Sequence, residues 1–167
     1  FLYELNLFET VSFSDEDKDR TKLYQVESQR ASVQQKYTNE DDFLKSLDMT
    51  SNVKPFDKFN TPRISQLSQR SNQFNLRTVR YTEADIVKIS ESKDSFNFTF
   101  TLEDKYGDNG LVSVLILNRE DNNTLFIDTW FMSCRVLKRG MENFVLNTIV
   151  SSAKNNGYNI LKGEYLS

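Results

Sequence analysis

Apolar residues recur at helical spacing in the first third of the chain, which predicts helices with few buried positions. Residues 14–17 are typical of a helix start, with a serine cap followed by acids in the first turn. Behind them, one narrow apolar stripe continues through Leu23, Val26, Val33 and Tyr37. A second short helix is predicted over 38–49 with Asn39 as its cap. We therefore expect residues 1–60 to form a helical linker.

The second part of the chain alternates between helical and strand patterns. Thr61 and Pro62 are typical of a helix start, the run LRTVRY at 76–81 predicts a short strand, and Thr82 caps a further helix. Three apolar runs joined by short turns follow. They predict an antiparallel meander of strands over 96–102, 111–117 and 124–133.

A helix and a strand close the chain. Residues 140–156 carry apolar side chains at helical spacing, and Asn156 with Gly157 is typical of a helix stop. The strand predicted over 158–165 follows this crossover helix, an arrangement that favours parallel pairing with the third strand of the meander. Residues 61–167 are therefore predicted to form an α+β domain, a mixed α/β sheet with helices packed against it.

The composition excludes several classes of protein and of site. Histidine is absent, which excludes Ser-His-Asp and Cys-His catalysis within the chain and any imidazole metal site, and no metal is predicted. The single cysteine excludes an internal disulfide and is typical of a reducing compartment, so we expect a cytoplasmic protein. No apolar run is long enough to span a membrane, and the net charge of −3 argues against nucleic-acid binding.

The join between the third strand and the last helix concentrates polar chemistry. Cations precede a glycine at the helix start, where unpaired N–H groups and the helix dipole attract anions. The predicted anion-binding or cofactor-binding residues are Arg135, Arg139, Gly140, Met141 and Glu142. The alternative is an ordinary solvated turn with surface charges.

Cys134 and Asp128 are the candidate catalytic residues. Strict alternation along the third strand puts both on one face with Trp130, and a face with a carboxylate and a thiol is expected to border a cleft. A thiol beside Arg135 and near a helix start is also favoured as a nucleophile. The alternative for Cys134 is a small apolar residue at the end of a buried strand.

Two polar clusters are candidate substrate-binding residues. The run RSNQFN carries the amides of Asn72, Gln73 and Asn75, and the run EDKYGDNG carries Asp108 and Asn109. The alternatives are caps at a helix end for the first cluster and a tight hairpin turn for the second. The second run does not have the spacing of an EF-hand loop.

Four segments, in this order, resemble the C-terminal region of FkbH-like proteins, which belong to the HAD-superfamily phosphatases of subfamily IIIC. They are RISQLSQRSNQFNLRTVRYTEADI, DKYGDNGLVSVLIL, FIDTWFMSCRVLKRGMENFVL and GYNILKGEYL, and the resemblance extends over residues 4–167. It implies a GNAT-like acyltransferase fold at 61–167, truncated before its last strands, and the trailing end of an upstream HAD-like domain at 1–60. The nucleophilic Asp-x-Asp motif of the phosphatase half is absent.

The resemblance also implies partners and a cofactor. FkbH-like proteins are associated with dephosphorylating a phosphoglyceryl donor and loading the glyceryl unit onto an acyl carrier protein. The expected partners are therefore an acyl carrier protein and the upstream HAD-like domain. In the GNAT fold an R/Q-x-x-G-x-G/A loop holds the pyrophosphate of coenzyme A. Here residues 137–142 correspond to it, but Leu137 takes the first position and Glu142 the last, which suits carrier-bound phosphopantetheine better.

Three functions remain open on the sequence. The first is an acyltransferase-like domain that loads a glyceryl or related acyl unit onto a carrier protein, as in polyketide or other secondary metabolite biosynthesis. The second is a non-catalytic GNAT-like module that docks a carrier protein or supports the HAD phosphatase half. The third is a coenzyme A-dependent N-acetyltransferase.

Overall fold

The computed structural model describes residues 15–71 and 73–165, with side chains from residue 24 onward. The chain forms two compact units. The first comprises Phe1–Asp48 with Lys105–Gly107, and the second comprises Met49–Asp104 with Asp108–Ser167.

The first unit contains two helices, α1 (Asp15–Gln34) and α2 (Glu40–Ser46). Asn39 caps α2, because its side-chain oxygen accepts a backbone N–H of the first turn at 2.9 Å. Phe43 is buried, and its ring packs against Tyr37 with the centroids 5.8 Å apart. Both predicted helices are confirmed, whereas the predicted serine cap of α1 lies outside the described residues.

The second unit contains a five-stranded sheet in which the strands lie side by side in chain order. The strands are β1 (Val53–Lys54), β2 (Ser95–Asp104), β3 (Gly107–Arg119), β4 (Thr124–Met132) and β5 (Ile160–Gly163). β1 pairs with β2 and β3 pairs with β4 in antiparallel fashion, while β4 and β5 are parallel. The two-residue connection between β2 and β3 permits only an antiparallel hairpin. The predicted fold class, the meander and the parallel final strand are confirmed.

Helices cover both faces of this sheet. On one face, α5 (Met141–Asn155) contributes Val145, Ile149 and Ala153 to a buried cluster. A second cluster contains residues of α3 (Thr61–Arg70) and α4 (Glu83–Glu91), among them Ile64, Leu67 and Ile86. Alternate residues of β3 enter the two clusters: Leu115 and Leu117 join the first, and Val114 and Ile116 join the second.

The strand predicted over 76–81 is wrong. Thr78 has a left-handed backbone with a φ of 55°, which interrupts an extended run. In the described part of this region, the one residue in a ladder position is Asn75, which forms an isolated antiparallel bridge with Phe131. Conversely, β1 lies in the run TSNVKPFDKFN, residues 50–60, which the sequence predicts to be a loop within the linker, because a strand of two residues is too short to show alternation.

A β-bulge interrupts the pairing of β4 with β3. Ile116 lies opposite Thr129 and Leu117 lies opposite Ile127, so Asp128 is an extra residue. The bulge reverses the alternation: Leu125 and Ile127 share the α5 cluster with Trp130 and Met132. The sequence-based prediction that strict alternation holds along the whole strand is therefore wrong.

Candidate functional site

The two parallel strands β4 and β5 separate at the bulge. Their pairing runs from Thr124 opposite Ile160 to Ile127 opposite Gly163, and β4 continues for five residues beyond it. We call this continuation, residues 128–132 with the edge that faces away from β3, the β4 fork. It leads directly into the loop before α5, so one strand joins the bulge to the helix N-terminus.

A short extended piece of chain, residues 74–76, lies along the β4 fork. The N–H of Leu76 donates to the carbonyl of Trp130 at 3.1 Å, and the N–H of Met132 donates to the carbonyl of Phe74 at 3.1 Å. The ring of Phe74 packs edge-on against Trp130, with the centroids 5.0 Å apart. We call these three residues the edge segment. It lies beside residues 130–132 of β4, just as β5 lies beside residues 124–127 of the same strand.

Asp128 is the centre of a polar cluster at the bulge. Its carboxylate accepts a hydrogen bond from Arg77 Nη1 at 2.6 Å and another from the Tyr81 hydroxyl at 2.9 Å. The Tyr81 hydroxyl is also hydrogen-bonded to Thr129, and the guanidinium of Arg77 lies 5.3 Å from the centre of the Phe126 ring. Both partners of Asp128 follow the edge segment, so the cluster fastens that region of chain to β4.

Burial governs the chemistry of Tyr81. The side chain is 8% exposed, and desolvation raises the pKa of its hydroxyl well above the usual value of 10.0. The neighbouring charge of Asp128 raises this pKa further, while the hydrogen bond with Thr129 opposes the shift. Tyr81 therefore keeps its proton at neutral pH and serves as a hydrogen-bond donor to Asp128.

The loop between β4 and α5 contains a 3₁₀ turn at Cys134–Val136 and two left-handed residues, Lys138 (φ 63°) and Gly140 (φ 80°). A Cβ added at Gly140 would meet no atom within 4 Å, so the glycine is required by its backbone conformation and not by a close neighbour. Glu142 Oε1 accepts the N–H of Lys138 at 2.8 Å. The carboxylate therefore takes up one of the N–H groups that this loop would otherwise offer to an anion.

The other predicted loop residues differ in exposure. Arg139 Nη1 lies 3.6 Å from Asp104, and the two side chains are 10% and 0% exposed. Met141 is buried in the core. Arg135 is half-buried and its Nε donates to Ser133 Oγ at 3.4 Å. The structure thus brings these residues into one loop, with Arg139 turned to a buried carboxylate; their role in anion binding stays a prediction.

Cys134 is exposed and lies in the 3₁₀ turn, beyond the end of β4. It is therefore not a core residue, which was the alternative to a reactive thiol. The bulge also removes the argument that placed Cys134 and Asp128 on one strand face. The catalytic roles of both residues stay predictions.

The candidate substrate-binding residues occupy two different places. Asn75 is buried in the edge segment, and its side-chain oxygen accepts the N–H of Thr78 at 3.0 Å. Gln73 is exposed, and Asn72 lies outside the described residues. At the start of β3, the Asp108 carboxylate accepts the N–H of Gly110 at 2.7 Å, and Asn109 is buried.

The part of the chain that the structure describes offers neither a metal site nor a membrane-spanning helix. In residues 15–71 and 73–165 no group of three Cys, Asp or Glu side chains is placed to hold a metal ion. None of the helices described is both long and apolar enough to cross a lipid bilayer.

Sequence reasoning missed Arg77 and Tyr81 as site residues, and in the edge segment it named Asn75 alone. The pattern of the run LRTVRY predicts a strand, whose alternation would place Arg77 and Tyr81 on one face and Arg80 on the other but would indicate no partner for them. The available signal was the density of hydrogen-bonding groups between two helices, which is unusual for a buried strand.

The fold occurs in other proteins of known structure. No family model matches the chain, and neither does any curated protein. Solved structures do match. The ribosomal-protein-S18-alanine N-acetyltransferase from Escherichia coli aligns with a TM-score of 0.52 and 11% identity over 67% of this chain and 66% of its own.

Two further structures show the same relationship. AAC(6')-Iy, in complex with the bisubstrate analog CoA-S-monomethyl-acetylneamine, aligns with a TM-score of 0.55 and 10% identity over 70% of this chain and 80% of its own. A GNAT family acetyltransferase from Staphylococcus aureus subsp. aureus USA300_TCH1516 aligns with a TM-score of 0.51 and 13% identity over 72% of this chain and 89% of its own. At these identities the likeness concerns the fold alone: the chain has the fold of the GNAT acetyltransferases.

Proposed function

We propose that this chain is an acyltransferase domain that binds an acyl thioester on a phosphopantetheine arm at the β4 fork, with coenzyme A as the source of the arm and an amine as the acceptor. The observation that carries the proposal is the separation of β4 from β5 at Asp128. A strand that outlasts its neighbour offers backbone N–H and C=O groups along an edge. Here that edge ends at a loop with a left-handed glycine and the start of a helix.

The chemistry of these groups fits such an arm. Pantetheine is an extended chain with two amides, and extended chains bind strand edges through backbone hydrogen bonds. The first turn of α5 supplies N–H groups for a phosphate, and Arg135 and Lys138 add positive charge. Glu142 takes up the N–H of Lys138 in the preceding loop and adds a negative charge, which favours a single phosphate over a diphosphate. The acetyltransferases of similar fold support coenzyme A, since AAC(6')-Iy was also crystallised with CoA.

The residues of the chain would have separate tasks. A bound arm supplies an acyl group activated as a thioester, which passes to the amine as the C–S bond breaks and the thiol is released. Asp128 is the proposed acceptor for the proton that the amine loses, and it lies on the bulge itself with 23% of its side chain exposed. Arg77 and Tyr81 hold its carboxylate in place.

Calorimetric titration with coenzyme A and with free 4′-phosphopantetheine tests the proposal. We expect saturable binding of both, and Lys138→Gln should weaken it about threefold, because an exposed charge contributes roughly 0.5–1 kcal/mol. Lys54→Gln removes another exposed lysine charge, from β1, and serves as the control. Absence of saturable binding with either ligand would reject the acyltransferase proposal in favour of a non-catalytic module.

Loading of a carrier protein is the second candidate, and the exposure of Cys134 favours it. In this scheme a glyceryl or related acyl unit would move from one thiol to another, with Cys134 as the intermediate thioester. The acyl carrier protein and an upstream HAD-like domain would be the partners, as the FkbH-like resemblance implies. Intact-mass measurement after incubation with a labelled acyl donor and a carrier protein tests it: wild type should gain the acyl mass and Cys134→Ser should not.

A further inference from the structure

The edge of β4 beyond the bulge is already hydrogen-bonded by the protein itself. Residues 74–76 take up the carbonyl of Trp130 and the N–H of Met132, and the ring of Phe74 covers Trp130. An extended arm with amide groups needs these same two backbone groups to pair with the β4 fork. The edge segment and such an arm therefore cannot pair with the fork at the same time.

We propose that the edge segment is an internal competitor of the acyl-donor arm, which binds only when residues 74–76 leave the β4 fork. This inference rests on the proposed function, because it takes the fork as the donor site. It also predicts a weak apparent affinity: the arm binds the open fork, and the closed form lowers its affinity in proportion to the closed population.

The contacts of the edge segment are suited to such an exchange. It pairs with β4 through a single bridge and two backbone hydrogen bonds, far fewer than the seven paired positions between β3 and β4. On one side the chain passes through the left-handed Thr78, a conformation that is unfavourable for a threonine. On the other side Ser71 Oγ is buried and has no hydrogen-bond partner among the described residues.

The region after the edge segment is held more firmly. Arg77 and Tyr81 both donate hydrogen bonds to Asp128, at 2.6 and 2.9 Å. The chain is therefore fastened to the bulge next to the edge segment, while the edge segment itself is joined to β4 by the two backbone hydrogen bonds. This arrangement lets residues 74–76 leave the fork without carrying the Asp128 cluster away.

The test combines binding with amide hydrogen exchange on the 167-residue chain. Phe74→Ala removes the ring that covers Trp130 and should raise the affinity for coenzyme A about tenfold by depopulating the closed form. Phe96→Ala is the matched control, because it removes another half-buried ring of the same cluster, one that packs on Tyr158 with centroids 5.9 Å apart. Its affinity for coenzyme A should stay within about twofold of wild type.

Hydrogen exchange gives a second readout that needs no variant. In wild type, saturating coenzyme A should deprotect the amide of Leu76, which loses its acceptor, while the amide of Met132 stays protected by its new partner. Binding of coenzyme A with the Leu76 amide still protected would overturn the competitor and leave the proposed function standing. Equal affinities of Phe74→Ala and Phe96→Ala would overturn it as well. If neither wild type nor Phe74→Ala binds coenzyme A or free 4′-phosphopantetheine, both the proposed function and the competitor are rejected.

Discussion

The guanidinium of Arg139 lies 3.6 Å from the carboxylate of Asp104, and neither side chain exposes more than a tenth of its surface. An arginine in an anion-binding loop would be expected to face solvent. In this protein it is one half of a buried ion pair, and the loss of either half removes an opposite charge from a buried one in a region of low dielectric constant.

Arg139→Ala should therefore act first on stability. We expect it to lower the free energy of unfolding by about 3 kcal/mol, since breaking a buried pair on one side costs roughly 3–5 kcal/mol. Urea denaturation of Arg139→Ala, Asp104→Asn and the double variant measures this. The double variant should lose less than the sum of the two single ones. Full additivity would show that the two side chains do not interact.

Glu142→Gln should strengthen the binding of a phosphate-bearing ligand. The substitution removes a negative charge at the start of α5 and weakens the bond to the Lys138 N–H. An effect of about 1 kcal/mol, or roughly fivefold in affinity, is expected at low salt for a charge in the first helical turn. Titration with coenzyme A at two salt concentrations checks it. Glu83→Gln, in the first turn of α4, is the control, and equal effects of the two variants would contradict the prediction.

The buried hydroxyl of Tyr81 should make the free energy of unfolding fall as the pH rises into the alkaline range. Burial raises the pKa of its hydroxyl above the usual 10.0, so the folded state holds this proton after the unfolded chain has lost it. The stabilisation is complete below about pH 10 and is lost as the pH rises further. Urea unfolding of wild type and Tyr81→Phe across this range measures it. The free energy of unfolding of wild type should fall more steeply, and parallel curves would contradict the assignment of this loss to the Tyr81 hydroxyl.

At neutral pH, Tyr81→Phe should be less stable than wild type by about 1–2 kcal/mol. The variant leaves Asp128 without one of its donors, and the loss of a hydrogen bond to a charged group costs roughly this much. Arg77 remains as the second donor, so the fold should persist. Thermal unfolding with circular dichroism checks both points, and a midpoint equal to that of wild type would show that the bond contributes nothing to stability.

Cys134 should react with an alkylating reagent in the native protein at a rate similar to that in urea, because its side chain is exposed. Cys134→Ser should change the free energy of unfolding by less than about 0.5 kcal/mol, as is usual for surface positions. Mass spectrometry of timed alkylation reports the rate. Strong protection in the native state would contradict the exposure seen in the structure.

The elements that could be predicted from the sequence are those whose pattern repeats several times. The alternation over residues 96–102 and the helical spacing around Val145 and Ile149 each give a repeated signal, and both elements form as expected. The capping residues Asn39 and Thr82 fix helix starts through local hydrogen bonds, which also depend on the sequence alone.

The site could not be predicted in the same way, because it depends on pairings between distant residues. Apart from the amide of Asn75, nothing local distinguishes residues 74–76 from any other short connecting segment; they acquire their place only when β5 separates from β4. The pair of Arg139 and Asp104 joins residues far apart in the chain, and either one alone is typical of a surface charge.

The bulge also sets how substitutions along β4 must be compared. The extra residue at Asp128 divides the strand into two phases, so that odd-numbered residues before it and even-numbered residues after it share one environment. Deleting Asp128 would therefore do more than remove a carboxylate. It would remove the bulge and leave a regular ladder in which Ile127 and Thr129 are neighbours, so Trp130 and Met132 would keep their layer while the local bend of the strand would be lost. An isosteric change to Asn keeps the bulge, and only such a change separates the chemistry of the carboxylate from the geometry of the strand.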